Sequence, residues 1–116
     1  MLEAYAVSQS LIRALAQLVR TIKKFDRDLA DQLQRAGSSC LLNVGEGQRR
    51  SGGDRGRFFG YARGSAGEVV AVLDAASAWG WPLDDREARK HADRLLGLLY
   101  GLIHGPRRMR VSDVGG

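Results

Sequence analysis

The sequence has few of the residues that build disulfide scaffolds, metal centres or membrane spans. Its one cysteine, Cys40, has no internal partner, so a disulfide framework is excluded. The two histidines, His91 and His104, lack a ligand-type spacing to further His, Cys or carboxylate residues, which excludes structural zinc. No metal and no cofactor are therefore expected. No apolar run approaches the roughly 18 residues needed to cross a bilayer, and the first residues lack the pattern of a secretory leader. The expectation is a cytoplasmic protein without a membrane partner. Lysine is scarce as well: of 18 basic residues only Lys23, Lys24 and Lys90 are not arginine.

What is present describes one small helical domain. The chain of 116 residues is 44% hydrophobic and 27% charged, enough apolar material for a single core. Val7, Leu11, Leu15, Leu18, Ile22 and Phe25 recur at strides of four and three, which predicts a helix over about residues 4–25. A second helix over about 29–48, capped at Asp28, carries Leu29, Leu33, Ala36, Cys40 and Val44 on one face and is weakened by Gly45 and Gly47. Ser51-Gly52-Gly53-Asp54 reads as a breaker. Beyond it Phe58, Ala62, Ser65, Val69, Val72, Ala76 and Trp79 form the most regular face of the chain, ended by Gly80 and Pro82. Asp84 to Glu87 reads as a capping box for a fourth helix with Ala88, Ala92, Leu95, Leu99 and Leu102 inward, stopping at Gly105-Pro106. With no period-2 segment, the fold class is all-α, an up-down-up-down antiparallel four-helix bundle over residues 1–105. Residues 106–116, with Arg107, Arg108 and Arg110, form a flexible basic C-terminal tail.

Polar residues interrupt the helical faces in Asn43-Val44-Gly45-Glu46-Gly47-Gln48-Arg49-Arg50 and in Gly64-Ser65-Ala66-Gly67-Glu68. A buried amide or hydroxyl without a partner costs roughly 1–3 kcal/mol, so such groups point at one another or at a ligand. On a helical wheel Asn43 and Ser65 lie on or near the inner faces while Glu46 and Glu68 flank them. Asn43, Glu46, Arg50, Ser65 and Glu68, with Arg49 as an alternative to Arg50, are accordingly expected to form one network that pins helix register. The other reading, a catalytic pair of Glu46 and Glu68, requires a cleft and a positioned substrate; no catalytic residue is assigned.

The net charge of +5 is unevenly spread. Arg13, Arg20, Lys23, Lys24 and Arg27 form a one-sign stripe roughly 20 Å long, at about 1.5 Å rise per residue, on the outer side of the first helix. Arg49, Arg50, Arg55, Arg57 and Arg63 cluster at the corner between the second and third helices, opposed by Asp54. Both groups suit phosphate, and both also fit ordinary solvated faces. The aromatics, 7% of the chain, read as core and show no stacking array, so binding is expected to be electrostatic and poor in sequence preference.

Gln32-Leu33-Gln34-Arg35-Ala36, Asn43 through Gly47 with Arg50, and Arg57-Phe58, Ala62, Gly64-Ser65 and Glu68 together resemble the four-helix bundle family of 23S rRNA intervening-sequence proteins. That family is similar in turn to the accessory variability determinant of diversity-generating retroelements. The resemblance spans about residues 5–104. It implies a protomer that closes into a homopentameric ring or barrel, no catalytic activity and, for the retroelement branch, binding to nucleic acid and to a reverse transcriptase. The expected function is a non-enzymatic, oligomeric accessory protein that binds RNA or an RNA–DNA hybrid through phosphates. The alternative is a structural oligomer or protein-interaction module without a nucleic-acid ligand.

Overall fold

The computed structural model describes residues 2–105; the basic tail expected at 106–116 lies outside the described residues. Four helices follow one another: α1 (Glu3–Lys23), α2 (Arg27–Gln48), α3 (Gly52–Trp79) and α4 (Arg86–His104). Each packs against its neighbour in sequence and α1 closes against α4. Short connections make the helices alternate in direction, so the expected four-helix bundle is the fold found. One end of the bundle carries the α1–α2 turn and the α3–α4 loop. The other carries the α2–α3 turn and the end of α4.

α1 buries Val7, Leu11, Leu15, Leu18 and Ile22, as their strides require. The phase runs out at Phe25, which is 49% exposed. α2 is capped by Asp26, whose carboxylate accepts the Leu29 N–H at 3.0 Å, and not by Asp28. The cap moves forward because the Phe25 and Asp26 amides still donate to the Ile22 carbonyl, each at 2.8 Å. Asp26 is thereby the residue whose backbone is extended just before the helix. Downstream, α2 passes through Gly45 and Gly47 to its predicted end. A Cβ at Gly47 would stand 2.5 Å from Phe59 Cε1, so this glycine admits the neighbouring helix rather than weakening its own.

Two expected boundaries are corrected. The breaker Ser51-Gly52-Gly53-Asp54 is instead the start of α3: Ser51 is extended, Gly52 takes a φ of +62°, and the helix begins there. Asp54 stabilises this first turn by its charge near the positive helix end and by ion pairs with Arg57 and Arg50, at 3.0 and 3.6 Å. At α4 the residue before the helix is Asp85, and no capping box joins Asp84 to Glu87. Both carboxylates are engaged by arginines, Asp84 by Arg86 at 2.9 Å and Asp85 by Arg89 at 2.8 Å.

α3 also differs in phase. Its buried row is Phe59, Ala62, Ala66, Val69, Val72, Leu73 and Ala76, whereas Phe58 and Ser65 are half-buried and Trp79 is 71% exposed. A helix with adjacent apolar residues on several faces admits more than one row at strides of three and four, and packing against Gly47 selects Phe59 over Phe58. The opposite, outward face consists of Gly53, Gly60, Gly64, Gly67, Ala71 and Ala78, all exposed. α4 buries Ala88, Ala92, Leu95 and Leu99 as predicted.

The glycines of α2 and α3 are thus of two kinds. Gly47→Ala should lower stability by about 1–3 kcal/mol, because the added methyl would overlap the wholly buried Phe59 ring. Gly60→Ala, where nothing lies within 4 Å of the added Cβ, should raise monomer stability by up to about 1 kcal/mol. Urea denaturation of the two variants, followed by circular dichroism, reads both signs.

Candidate nucleic-acid interface

At the α2–α3 corner the polar residues sort into an ion-pair chain. The Glu46 carboxylate accepts from Arg49 at 2.5 Å and Arg50 at 3.1 Å, and these guanidiniums, Arg50 foremost, hold its carboxyl below the usual carboxylate range. Arg50 continues to Asp54, and Asp54 to Arg57. The Arg50 and Arg57 guanidiniums stand 5.0 and 5.2 Å from the centre of the Phe58 ring. Arg55 donates to the Gly47 carbonyl at 3.3 Å, closing the end of α2, and lies over Phe59. Arg63 lies over Tyr100, on α4. Arg49, Arg50, Arg55 and Arg57 therefore do gather at one corner. Arg55 is committed to the helix terminus, and the exposed pairs of the other three are screened by solvent and individually contribute little to stability.

The single network expected for Asn43, Glu46, Arg50, Ser65 and Glu68 is two separate groups. Ser39, which the sequence reading did not single out, is the centre of the inner one. Its hydroxyl meets Ser65 Oγ at 2.8 Å across the helix interface and accepts from Asn43 Nδ2 at 2.9 Å, while Nδ2 also donates to the Ser39 carbonyl. Glu46 and Arg50 belong to the corner chain, and Glu68 is exposed and outside both groups. The register explains the split: Ser39 faces Ser65, Cys40 faces Ala62, and Gly47 faces Phe59. Glu68 therefore stands at about the level of Ala36, roughly 15 Å along the axis from Glu46 at about 1.5 Å per residue. That separation does not make a paired-carboxylate site. Nor is Cys40 a nucleophile, because burial, reinforced by the nearby Glu68 charge, pushes its thiol up to about 12.

Arg13, Arg20, Lys23, Lys24 and Arg27 are all exposed, as expected of an outer stripe. Arg20 and Lys23 occupy the last turn of α1, where positive charge is favoured by the helix dipole, and Arg27 opens α2. Arg20 bonds to Gln17 at 3.1 Å; among the described residues, none of the five makes an ion pair. Between α1 and α2 lies an open groove of about 390 Å³, lined by Leu15, Val19, Arg20, Lys23, Asp31 and Gly37. α1 spans roughly 30 Å at about 1.5 Å per residue, which puts the α1–α2 turn and the arginine corner at opposite ends of the bundle. The structure does not merge the two basic groups.

The aromatic reading requires a correction. Phe25, Trp81 and Trp79 stack on one another at the α1–α2 end. Trp81 lies 5.2 Å from Phe25 with 11° between the planes, and 6.3 Å from Trp79 with 12°. Alternating helix direction brings the α1–α2 turn beside the α3–α4 loop, and that topology was the available signal.

The inner polar group generates a measurable coupling. Ser39→Ala and Ser65→Ala should each destabilise the protein by about 0.5–2 kcal/mol. The double variant should lose less than the sum, by about 0.5–1.5 kcal/mol, because the two hydroxyls serve each other. A double-mutant cycle in urea reads this coupling.

Among the described residues no helix is long and apolar enough to cross a membrane, and no His, Cys, Asp and Glu cluster is arranged to hold a metal ion. No curated protein matches the chain. The sequence pattern of one protein family does match, over residues 1–101, which takes in all of α1, α2 and α3 and most of α4. On that match, in agreement with its four-helix bundle, the chain belongs to the family of 23S rRNA-intervening sequence proteins.

Proposed function

We propose that the protein is a non-enzymatic accessory or scaffold protein that binds RNA, or an RNA–DNA hybrid, through phosphate contacts as a homo-oligomer. The observation that carries this reading is the group Arg13, Arg20, Lys23, Lys24 and Arg27, exposed and, among the described residues, in no ion pair. Exposed cations on one side of a small protein are suited to a polyanion, and the name of the family points to ribosomal RNA. No reaction is assigned, in keeping with Glu46 held by two arginines and Cys40 kept as a buried thiol.

Self-association draws support from the outward face of α3. Gly53, Gly60, Gly64 and Gly67 leave backbone where a solvated helix ordinarily carries charged side chains, so another helix can approach closely. The homopentamer is the assembly that the resemblance implies. In such a ring each cationic stripe would be repeated around the axis, producing a field much stronger than that of one protomer. Docking of a reverse transcriptase remains part of the proposal only for the retroelement branch.

Titration against RNA at several salt concentrations tests the ligand. Log affinity should fall steeply with log salt, and Arg20→Glu, Lys24→Glu and Arg27→Glu together should weaken binding while preserving helicity and oligomer size. No binding even near about 50 mM salt would refute the phosphate reading and leave the structural oligomer as the function. Dissociation of the oligomer by the charge reversals would make the stripe a subunit interface.

Gly64→Leu tests the assembly face separately. It should leave the helical content intact, since nothing lies within 4 Å of the added Cβ, yet reduce the mass in sedimentation. An unchanged oligomer would remove α3 from the interface.

A further inference from the structure

We infer that the Phe25–Trp81–Trp79 stack is a platform for an unpaired nucleobase, so that the preferred ligand is a strand with unstacked bases rather than a continuous duplex. The inference rests on the nucleic-acid reading above and narrows its ligand. Three aromatic rings lie nearly parallel at the end of the bundle, with Trp81 in the middle and partly packed against the core. Trp79 at the outer end is 71% exposed and Phe25 is 49% exposed. Large aromatic surface left in water on a small protein marks a contact surface.

The platform is held rigidly by its backbone. Gly80 adopts a left-handed conformation, φ 80°, and the Trp81 N–H returns to the Ala76 carbonyl at 3.1 Å while the Gly80 N–H bonds to Ser77 at 3.0 Å. This pattern ends α3 and fixes the path between the two tryptophans. On the other side the Phe25 N–H bonds to the Ile22 carbonyl at 2.8 Å, within a tight turn whose next residue, Asp26, caps α2. The backbone path and the ring contacts thus bring the three rings together without a ligand, which lowers the entropic cost of stacking.

Charge selects the occupant. Lys23, Lys24 and Arg27 flank Phe25 in sequence and are exposed, whereas the acidic residues of the adjoining segments are engaged: Asp26 in its cap, Asp84 with Arg86, and Asp85 with Arg89. Asp28 and Asp31 are the exposed carboxylates there that, among the described residues, enter no ion pair. Flat apolar faces beside unpaired cations match a base attached to its phosphate, because every base offers a π-face and every linkage a negative charge. Arg50, Arg57 and Phe58 at the opposite end offer no equivalent, since two guanidiniums already tied to Asp54 lie over the Phe58 ring.

The chain's two tryptophans are both in the stack, so intrinsic tryptophan fluorescence reports on this site alone. The probes are a short oligouridylate and an RNA hairpin stem with the same number of phosphates. The oligouridylate should quench the fluorescence. Trp79→Ala should weaken its binding by roughly 5- to 100-fold, the range of one base–aromatic stack, while changing stem affinity by less than about twofold. Trp79→Phe should retain most of the affinity. If both probes bind, fluorescence is unchanged and Trp79→Ala has no effect, the platform is overturned and phosphate binding stands. If neither probe binds at low salt, both this inference and the nucleic-acid reading fall. A Trp79→Ala variant that loses its oligomeric mass instead of its preference for oligouridylate would make the stack a protein contact, also overturning the inference.

Discussion

The approach of α2 to α3 depends on the missing side chain at Gly47. The ring of Phe59 occupies the volume that a methyl group there would need, and this ring is wholly buried. With the helices at that distance, Ser39 and Ser65 come within hydrogen-bonding reach and Cys40 meets the Ala62 carbonyl. The same contact fixes which face of α3 turns inward, and so which face is left bare. It also places the start of α3 where Arg55 can reach the last carbonyls of α2. A single close contact thus determines register, phase and the geometry of the arginine corner.

Charge is organised by length rather than by concentration. The arginine corner is tied together by Glu46 and Asp54, which link Arg49, Arg50 and Arg57 into one chain and order a tight turn. The cations at the other end stand near Asp28 and Asp31 but, among the described residues, form no ion pair with them. The sequence displays the two clusters as comparable, with five basic residues in each. Only the partners distinguish them, and partners such as Glu46 for Arg49 and Arg50 depend on the helical positions adopted at the end of α2.

The helices themselves were legible because the apolar strides of α1 and α4, Leu11, Leu15 and Leu18 or Leu95 and Leu99, lie opposite charged residues such as Arg13 and Arg20 or Lys90 and Arg94. α3 was legible as a helix but not in its rotation. Phe58 and Phe59 are adjacent, and stride alone does not choose between them; the glycine on another helix does. Asn43 and Ser65 were recognisable as polar groups near an inner face. Ser39 lies four residues before Asn43 on the same face of α2, which Ser38 does not, so that link had a signal in the spacing; the pairing of Ser39 with Ser65 had none, since it depends on the α2–α3 register. Glu68 was drawn into the network for the converse reason, that a helical wheel gives angle but not height. The aromatic stack joins residues from the first and third connections of the bundle, a proximity set by topology rather than by spacing.

The bare outer face of α3 has a consequence for the order of folding. Six glycines in one helix each forgo about 1 kcal/mol of helix propensity relative to alanine, so the isolated segment would remain a coil. α3 becomes helical by packing against helices already in place, and without subunits on its exposed side it is the part of the protomer that opens most readily. Amide hydrogens along Gly60, Gly64 and Gly67 consequently report on the closing of the bundle and, under the proposed assembly, would report on the joining of one protomer to the next.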